Sequence, residues 1–151
     1  MMAIIRKARK EDVAEVYELM KGLAVFEKYI NSFNITPEIV LEKGLDTDEP
    51  LFYCLVAEVD GKIAGMLVYY YLMYTAQNKP AIYMKELYVD EAYRGQSLGT
   101  KLMAALKEEA KAQGCTQIKW TVADWNEAGK KFYKGIGAEE NTEWLNYEIN
   151  L

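Results

Sequence analysis

The sequence predicts an α/β fold of the α+β mixed-sheet kind: one central sheet, antiparallel first and parallel towards its end, with helices on both faces. Three observations carry this expectation. Two runs dense in β-formers, Leu51 to Val59 and Lys62 to Tyr74, flank Asp60-Gly61, a strong short-range hairpin signal. A strand pattern from Ile82 to Val89 passes through a glycine-bearing turn into a long amphipathic segment. The full order reads β-α-α-β-β-β-α-β-α-β, an alternation that calls for a layered sheet covered by helices.

Ala3 to Lys7 is a short first strand. Val13, Val16, Tyr17, Met20, Leu23 and Ala24 recur at helical spacing, so a helix is expected from Glu11 or Asp12 to about Lys28. Thr36-Pro37-Glu38 has the form of an N-cap followed by proline at the first helical position, opening a short helix that ends near Gly44. After the hairpin, Thr75 to Pro80 reads as a polar loop. Leu98, Leu102, Leu106 and Ala110 form one stripe of the helix that follows Gly99, and Gln113-Gly114 stops it. Gln117 to Val122 is a further strand. Asn126 has the character of an N-cap, with Ala128, Phe132 and Ile136 on one face of the helix it starts, and Trp144 to Ile149 is expected to close the sheet.

At 151 residues the chain is expected to form one domain, residues 1–151, able to bury roughly 70% of its unfolded surface without staples. Cys54 and Cys115 make no disulfide framework and fit no zinc spacing, so buried thiols and no metal are expected. The apolar part of the N-terminus is too short for a secretory segment, and no run approaches a membrane span, which points to a reducing cytoplasm and no membrane partner. The 23 acidic and 18 basic side chains, net charge -5, are mixed along the chain; this argues against nucleic acid and suits a cationic small molecule. There is no histidine, so hydrolases built on a Ser-His or Cys-His pair are excluded, and any general base is a carboxylate, tyrosine, amine, water or backbone group.

The turn after Val89 has the makings of an anion site. Arg94-Gly95-Gln96-Ser97-Leu98-Gly99-Thr100 leads into a helix whose first N–H groups lack intrahelical partners, with the positive end of the macrodipole at the same point. A phosphate or pyrophosphate is the natural guest, with Arg94 adding charged donors. Glycine in a tight strand-to-helix turn also has a purely structural use. No Gly-Lys-Ser/Thr closes the turn, so it is not a P-loop, and two glycines late in the chain do not make a dinucleotide fingerprint.

These residues resemble the coenzyme A loop of the GNAT superfamily of N-acetyltransferases, Gln/Arg-x-x-Gly-x-Gly/Ala, and element order agrees over essentially the whole chain. More specifically, Phe52 to Val59, Ala92 to Gly95 and Val122 to Ala138, with its Trp-Asn-Glu run followed by Phe132-Tyr133-Lys134, are similar to the diamine (spermidine/spermine) N-acetyltransferase branch. The sequence departs from the pattern at Ser97, where glycine is usual, and at Lys85, where the branch has the first member of an acidic pair completed here by Glu86. Thr75 and Gln77 fill the acidic and tryptophan positions of the preceding loop.

The resemblance implies a GNAT-like fold, acetyl-CoA as co-substrate, and an amine acceptor. Leu87, Tyr88 and Val89 together with Arg94 to Thr100 would bind the cofactor, the backbone of Leu87 and Val89 taking the pantetheine arm. Tyr133 would be the acid for the departing thiolate, with Asn126 supporting the thiol end. An alkyl amine is almost wholly protonated at neutral pH, and removing its proton costs roughly 4 to 5 kcal/mol, so a base is required. Glu86 is the candidate by position; a salt-bridged surface carboxylate is the plainer alternative, as a core aromatic is for Tyr133 among 12 tyrosines. Glu27, Tyr29 and Tyr74, with Glu86, are expected at the amine pocket, where aromatic faces can hold a cation. Direct attack in a ternary complex suits this set, since no activated cysteine or serine is in view. The acceptor class stays open between a diamine, a thialysine-like amino acid and a peptide amine, with a non-catalytic acyl-CoA sensor as the competing class. By analogy with diamine-type relatives the protein is expected to be a homodimer.

Overall fold

A computed structural model describes residues 2–151. The chain divides into two compact units, one ending at Thr121 and one from Val122 to Leu151. In the first, strands β1 (Ala3–Lys7), β2 (Tyr53–Val59), β3 (Lys62–Tyr74), β4 (Lys79–Val89) and β5 (Ile118–Lys119) form one sheet in sequence order. Pairing is antiparallel from β1 to β4, and β5 adds parallel to β4 at only two rungs, Ile82 with Ile118 and Tyr83 with Lys119. The mixed sheet is therefore the one expected. Asp60 and Gly61 both take positive φ, 51° and 79°, as a two-residue hairpin with right-handed strands requires.

Helix α1 (Val13–Phe26) covers one face, burying Val16, Leu19, Met20 and Leu23 against Cys54, Val56, Met66 and Val68. The short helix α2 (Pro37–Val40) starts as expected, with the Thr36 hydroxyl accepting from the Ile39 N–H at 3.2 Å, and continues as a wider turn over Leu41–Leu45. Helix α3 (Leu98–Ala112) covers the opposite face with Leu98, Leu102, Met103, Leu106 and Ala110. The Tyr71 hydroxyl donates to Glu109 of that helix at 3.1 Å, so the odd-numbered β3 residues in this stretch face α3 and the even-numbered ones face α1.

The second unit holds α4 (Glu127–Gly135), capped as expected by Asn126, whose Oδ1 accepts from the Gly129 N–H at 2.9 Å. The expected closing strand at Trp144 to Ile149 is not formed: the segment has no ladder partner among the described residues, and Trp144, Leu145, Tyr147 and Ile149 are exposed. Its alternating β-formers describe what a strand would look like, but a strand exists only where an edge receives it. Gln117 to Val122 likewise contracts to the two residues of β5. Among the described residues no helix is long and apolar enough to cross a membrane.

Candidate active site

The site is built around a break in the β3/β4 register. Tyr69 faces Met84 and Val68 faces Glu86, which leaves Lys85 as an extra, bulged residue on β4. Partners across a ladder share a face. Ile82 and Met84, opposite Tyr71 and Tyr69, therefore lie on the α3 side, whereas Glu86, opposite Val68, lies on the α1 side. Without the bulge Glu86 would continue the α3 series. With it, the neighbours Lys85 and Glu86 both line a cleft of about 250 Å³ with Met20, Ile35, Leu51, Phe52, Val68 and Tyr70.

Glu86 Oε1 is fully enclosed and has no hydrogen-bond partner among the described residues. Burial pushes the carboxyl up to about 6, against the opposing pull of the Lys85 ammonium, with Glu27 adding to the rise. Glu27, at the C-terminal cap of α1, is also raised by burial and restrained by Lys85. Tyr29, two residues on, is pushed up to about 12 by burial and then by Glu86 and Glu27. Glu27, Tyr29, Lys85 and Glu86 thus form one electrostatic group. Tyr74 is not part of it. Six residues along β3 from Val68, it is about 20 Å away, where it donates to Gln117 at 3.3 Å and accepts from Lys119 at 3.2 Å. Thr75 and Gln77 are exposed in the loop beyond it.

The bulge also changes which peptide groups face the open edge of the sheet. The Ile82 N–H reaches Gln117 on the β5 side, but after the bulge the Asp90 N–H bonds to Ala64 of β3. Even-numbered residues therefore face β5 before Lys85 and β3 after it, so the peptide groups of Leu87 and Val89 point to the edge that β5 does not pair. The Val89 carbonyl accepts from Arg94 Nε at 3.1 Å, and the Arg94 guanidinium lies over the Tyr88 ring at 5.5 Å. Tyr88 in turn sits under α1 at Gly22, where an added Cβ would stand 2.9 Å from the tyrosine ring.

Beyond Arg94 the chain enters α3 through two left-handed residues, Gly95 at φ 82° and Ser97 at φ 62°. Ser97 supplies the backbone cap, its carbonyl accepting from the Lys101 N–H at 3.0 Å, but its side chain makes no cap bond. The first N–H groups of the helix, at Leu98, Gly99 and Thr100, have no intrahelical acceptor. No acidic side chain stands in this first turn, and among the described residues none beyond its chain neighbours lies within 4 Å of where a Gly95 Cβ would be. Gln96 is half-buried between the two left-handed residues. An uncapped helix end with open space before it and a fixed guanidinium beside it fits a phosphate group.

In the second unit, Tyr133 is half-buried on α4 with its ring edge-on to Phe132 at 5.2 Å, on the helix that Asn126 caps. Neither thiol is an activated nucleophile: Cys54 is in the core and pushed up to about 12 by burial, and burial raises Cys115 as well. The sequence reading missed the bulge, and with it the membership of Lys85 and Tyr70 in the cleft. The only trace was two charges interrupting an otherwise apolar strand.

A strand edge with free peptide groups, a helix turn beside it without a side-chain cap and a buried carboxylate oxygen on the α1 face make up the candidate site. The acetyltransferase (GNAT) family profile matches residues 13–138, and the chain belongs to that family. It is 35% identical to a thialysine N-epsilon-acetyltransferase of Mus musculus over 96% of this chain and 91% of the relative. It is 32% identical to the spermidine/spermine N(1)-acetyltransferase-like protein 1 of Homo sapiens over 89% of this chain and 20% of that longer protein. These similarities run to the diamine acetyltransferase branch. Among solved structures, a ribosomal-protein-alanine N-acetyltransferase from Brucella melitensis superposes with TM-score 0.82 at 22% identity, covering 100% of both chains, a likeness of fold.

Proposed function

We propose that this N-acetyltransferase moves the acetyl group of acetyl-CoA to a primary amine of a small molecule by direct attack in a ternary complex. Bound acetyl-CoA supplies the activated acyl group as a thioester. The N–H groups of Leu98, Gly99 and Thr100, with Gly95, Gln96, Ser97 and Arg94, hold its diphosphate, and the main chain of Leu87 and Val89, flanking Tyr88, holds the pantetheine arm.

The observation that carries the reading is the Glu86 carboxyl, raised to about 6, whose Oε1 is enclosed and has no hydrogen-bond partner among the described residues. At neutral pH it is mostly ionised, and its rise from the model-compound value of 4.5 recovers about 2 kcal/mol of the proton-transfer cost. Glu86 takes the amine's proton, directly or through water, and Glu27 and Tyr29 complete the cation-binding wall. Tyr133 returns a proton to the departing thiolate, and Asn126 supports that end; both assignments rest on the family pattern around α4. The raised thiols of Cys54 and Cys115 favour direct transfer over an acyl-enzyme.

The relatives' names, a thialysine N-epsilon-acetyltransferase and a spermidine/spermine N(1)-acetyltransferase-like protein, support thialysine-like and polyamine-like amines as the first acceptors to test. The same reading takes residues 1–151 as one catalytic domain that works as a homodimer in the cytoplasm. The test is thiol release from acetyl-CoA against a panel of diamines, ω-amino acids and peptide amines. Turnover with a small amine is the expected result; cofactor binding without turnover of any acceptor would favour an acyl-CoA sensor instead.

A further inference from the structure

In a regular strand adjacent residues point to opposite faces. Here Lys85 and Glu86 line the same cleft, because the bulge gives Lys85 a place outside the alternation. The cleft therefore carries a cation beside its carboxylate. Lys85 makes no ion pair among the described residues, although its charge acts on both Glu86 and Glu27. An exposed ammonium that shares the cleft with the Glu86 carboxylate without an ion pair to it is poorly suited to a plain diamine, whose second ammonium it repels. It is well suited to a ligand that brings an anion of its own.

We infer that the Lys85 ammonium is the anchor for the carboxylate of the acceptor, which makes the preferred acceptor an ω-amino acid rather than a diamine. The charges match one for one. The reacting amine faces Glu86, the α-ammonium faces Glu27, and the α-carboxylate faces Lys85. Apolar walls from Met20, Ile35 and Phe52 take the methylene chain. Lys85 is a specificity residue here and takes no part in the chemical step. The inference rests on the acetyl-transfer reading above and refines its acceptor.

The test is kcat/KM for L-lysine against cadaverine, which is lysine without its carboxylate, and for L-ornithine against putrescine, in the unaltered protein and in Lys85→Gln, Lys85→Glu and Lys85→Arg. The unaltered protein should prefer the amino acid of each pair. Lys85→Gln should lower kcat/KM for the amino acids about tenfold or more, the usual loss for a charge-assisted hydrogen bond, and mainly through KM. It should raise kcat/KM for the diamines, Lys85→Glu should reverse the preference, and Lys85→Arg should keep it. A preference for the diamines in the unaltered protein, or parallel changes for both acceptor classes in the variants, overturns the assignment of Lys85 and leaves acetyl transfer standing. Failure to acetylate any of the four amines, with acetyl-CoA bound, overturns both.

Discussion

Glu86 stands directly across from Val68, while on the next rung Met84 faces Tyr69, and the residue passed over between them is Lys85. That single unmatched residue turns the Glu86 carboxylate from the α3 side of the sheet to the α1 side. It also turns the peptide groups of Leu87 and Val89 towards the free edge. One irregularity thus sets both the carboxylate proposed as the base and the main-chain face of the candidate site.

Glu86→Gln should separate activity from stability. Acetyl transfer should fall at least a hundredfold, since a positioned base contributes on that order. In the unaltered protein kcat/KM should rise with pH through a limb near 6. Because the folded-state value lies above the reference of 4.5, the contribution of Glu86 to stability is fully present below that reference and is lost as pH rises through about 6. The amide should therefore stabilise the protein by about 1 to 2 kcal/mol above pH 6 and by nothing below the reference value. Denaturant melts of both proteins across that window decide it; an equal effect at all pH values would remove burial of the charge as the cause.

Gly22→Ala should reach the cofactor turn from the far side of α1. Alanine is the better helix former by about 1 kcal/mol, but its Cβ would press on the far end of the Tyr88 ring, which carries the Arg94 guanidinium. Stability should change little as the ring moves aside, while coenzyme A affinity should weaken several-fold. Calorimetric titration of the variant with coenzyme A reads this directly, and an unchanged Kd would show that the stack does not position Arg94.

Ser97 holds a left-handed conformation without a glycine, at a cost of roughly 1 to 2 kcal/mol for a residue with a Cβ. Ser97→Gly should be neutral or stabilising, because relief of strain offsets the added chain entropy. Ser97→Val, with a branched Cβ in the same conformation, should lose about 1 to 2 kcal/mol and with it coenzyme affinity. Equal melting temperatures for the two variants would mean that the turn relaxes around position 97.

Tyr133→Phe should lower kcat by slowing departure of the thiolate while leaving coenzyme affinity nearly intact, because only the hydroxyl is removed from a ring that still packs edge-on to Phe132. Kinetics at saturating amine, set beside a binding isotherm, separate the two effects; unchanged turnover takes Tyr133 out of the reaction.

What the sequence made legible follows from how local each signal is. The Asp60-Gly61 turn, the Thr36 and Asn126 caps and the α3 stripe each depend on a few neighbouring residues, and each stands where expected. Trp144 to Ile149 failed because a strand is a relation between two segments, and its own alternation says nothing about the other one. Tyr74 lay apart from Glu86 for a related reason: its distance is set by the β3/β4 register, which the sequence of either strand alone leaves open. The bulge was hidden in the same way. Lys85-Glu86 reads as two charges in a strand until Val68 and Tyr69 are set opposite.

The short pairing between β5 and β4 has one further consequence. A ligand lying along the edge past Tyr83 would be gripped by peptide N–H groups, which every amino acid but proline provides. Drift in side-chain identity at positions 87 and 89 would leave that grip intact, and a proline at either would cancel it, so tolerance there is a matter of imino against amino acid and not of size or polarity.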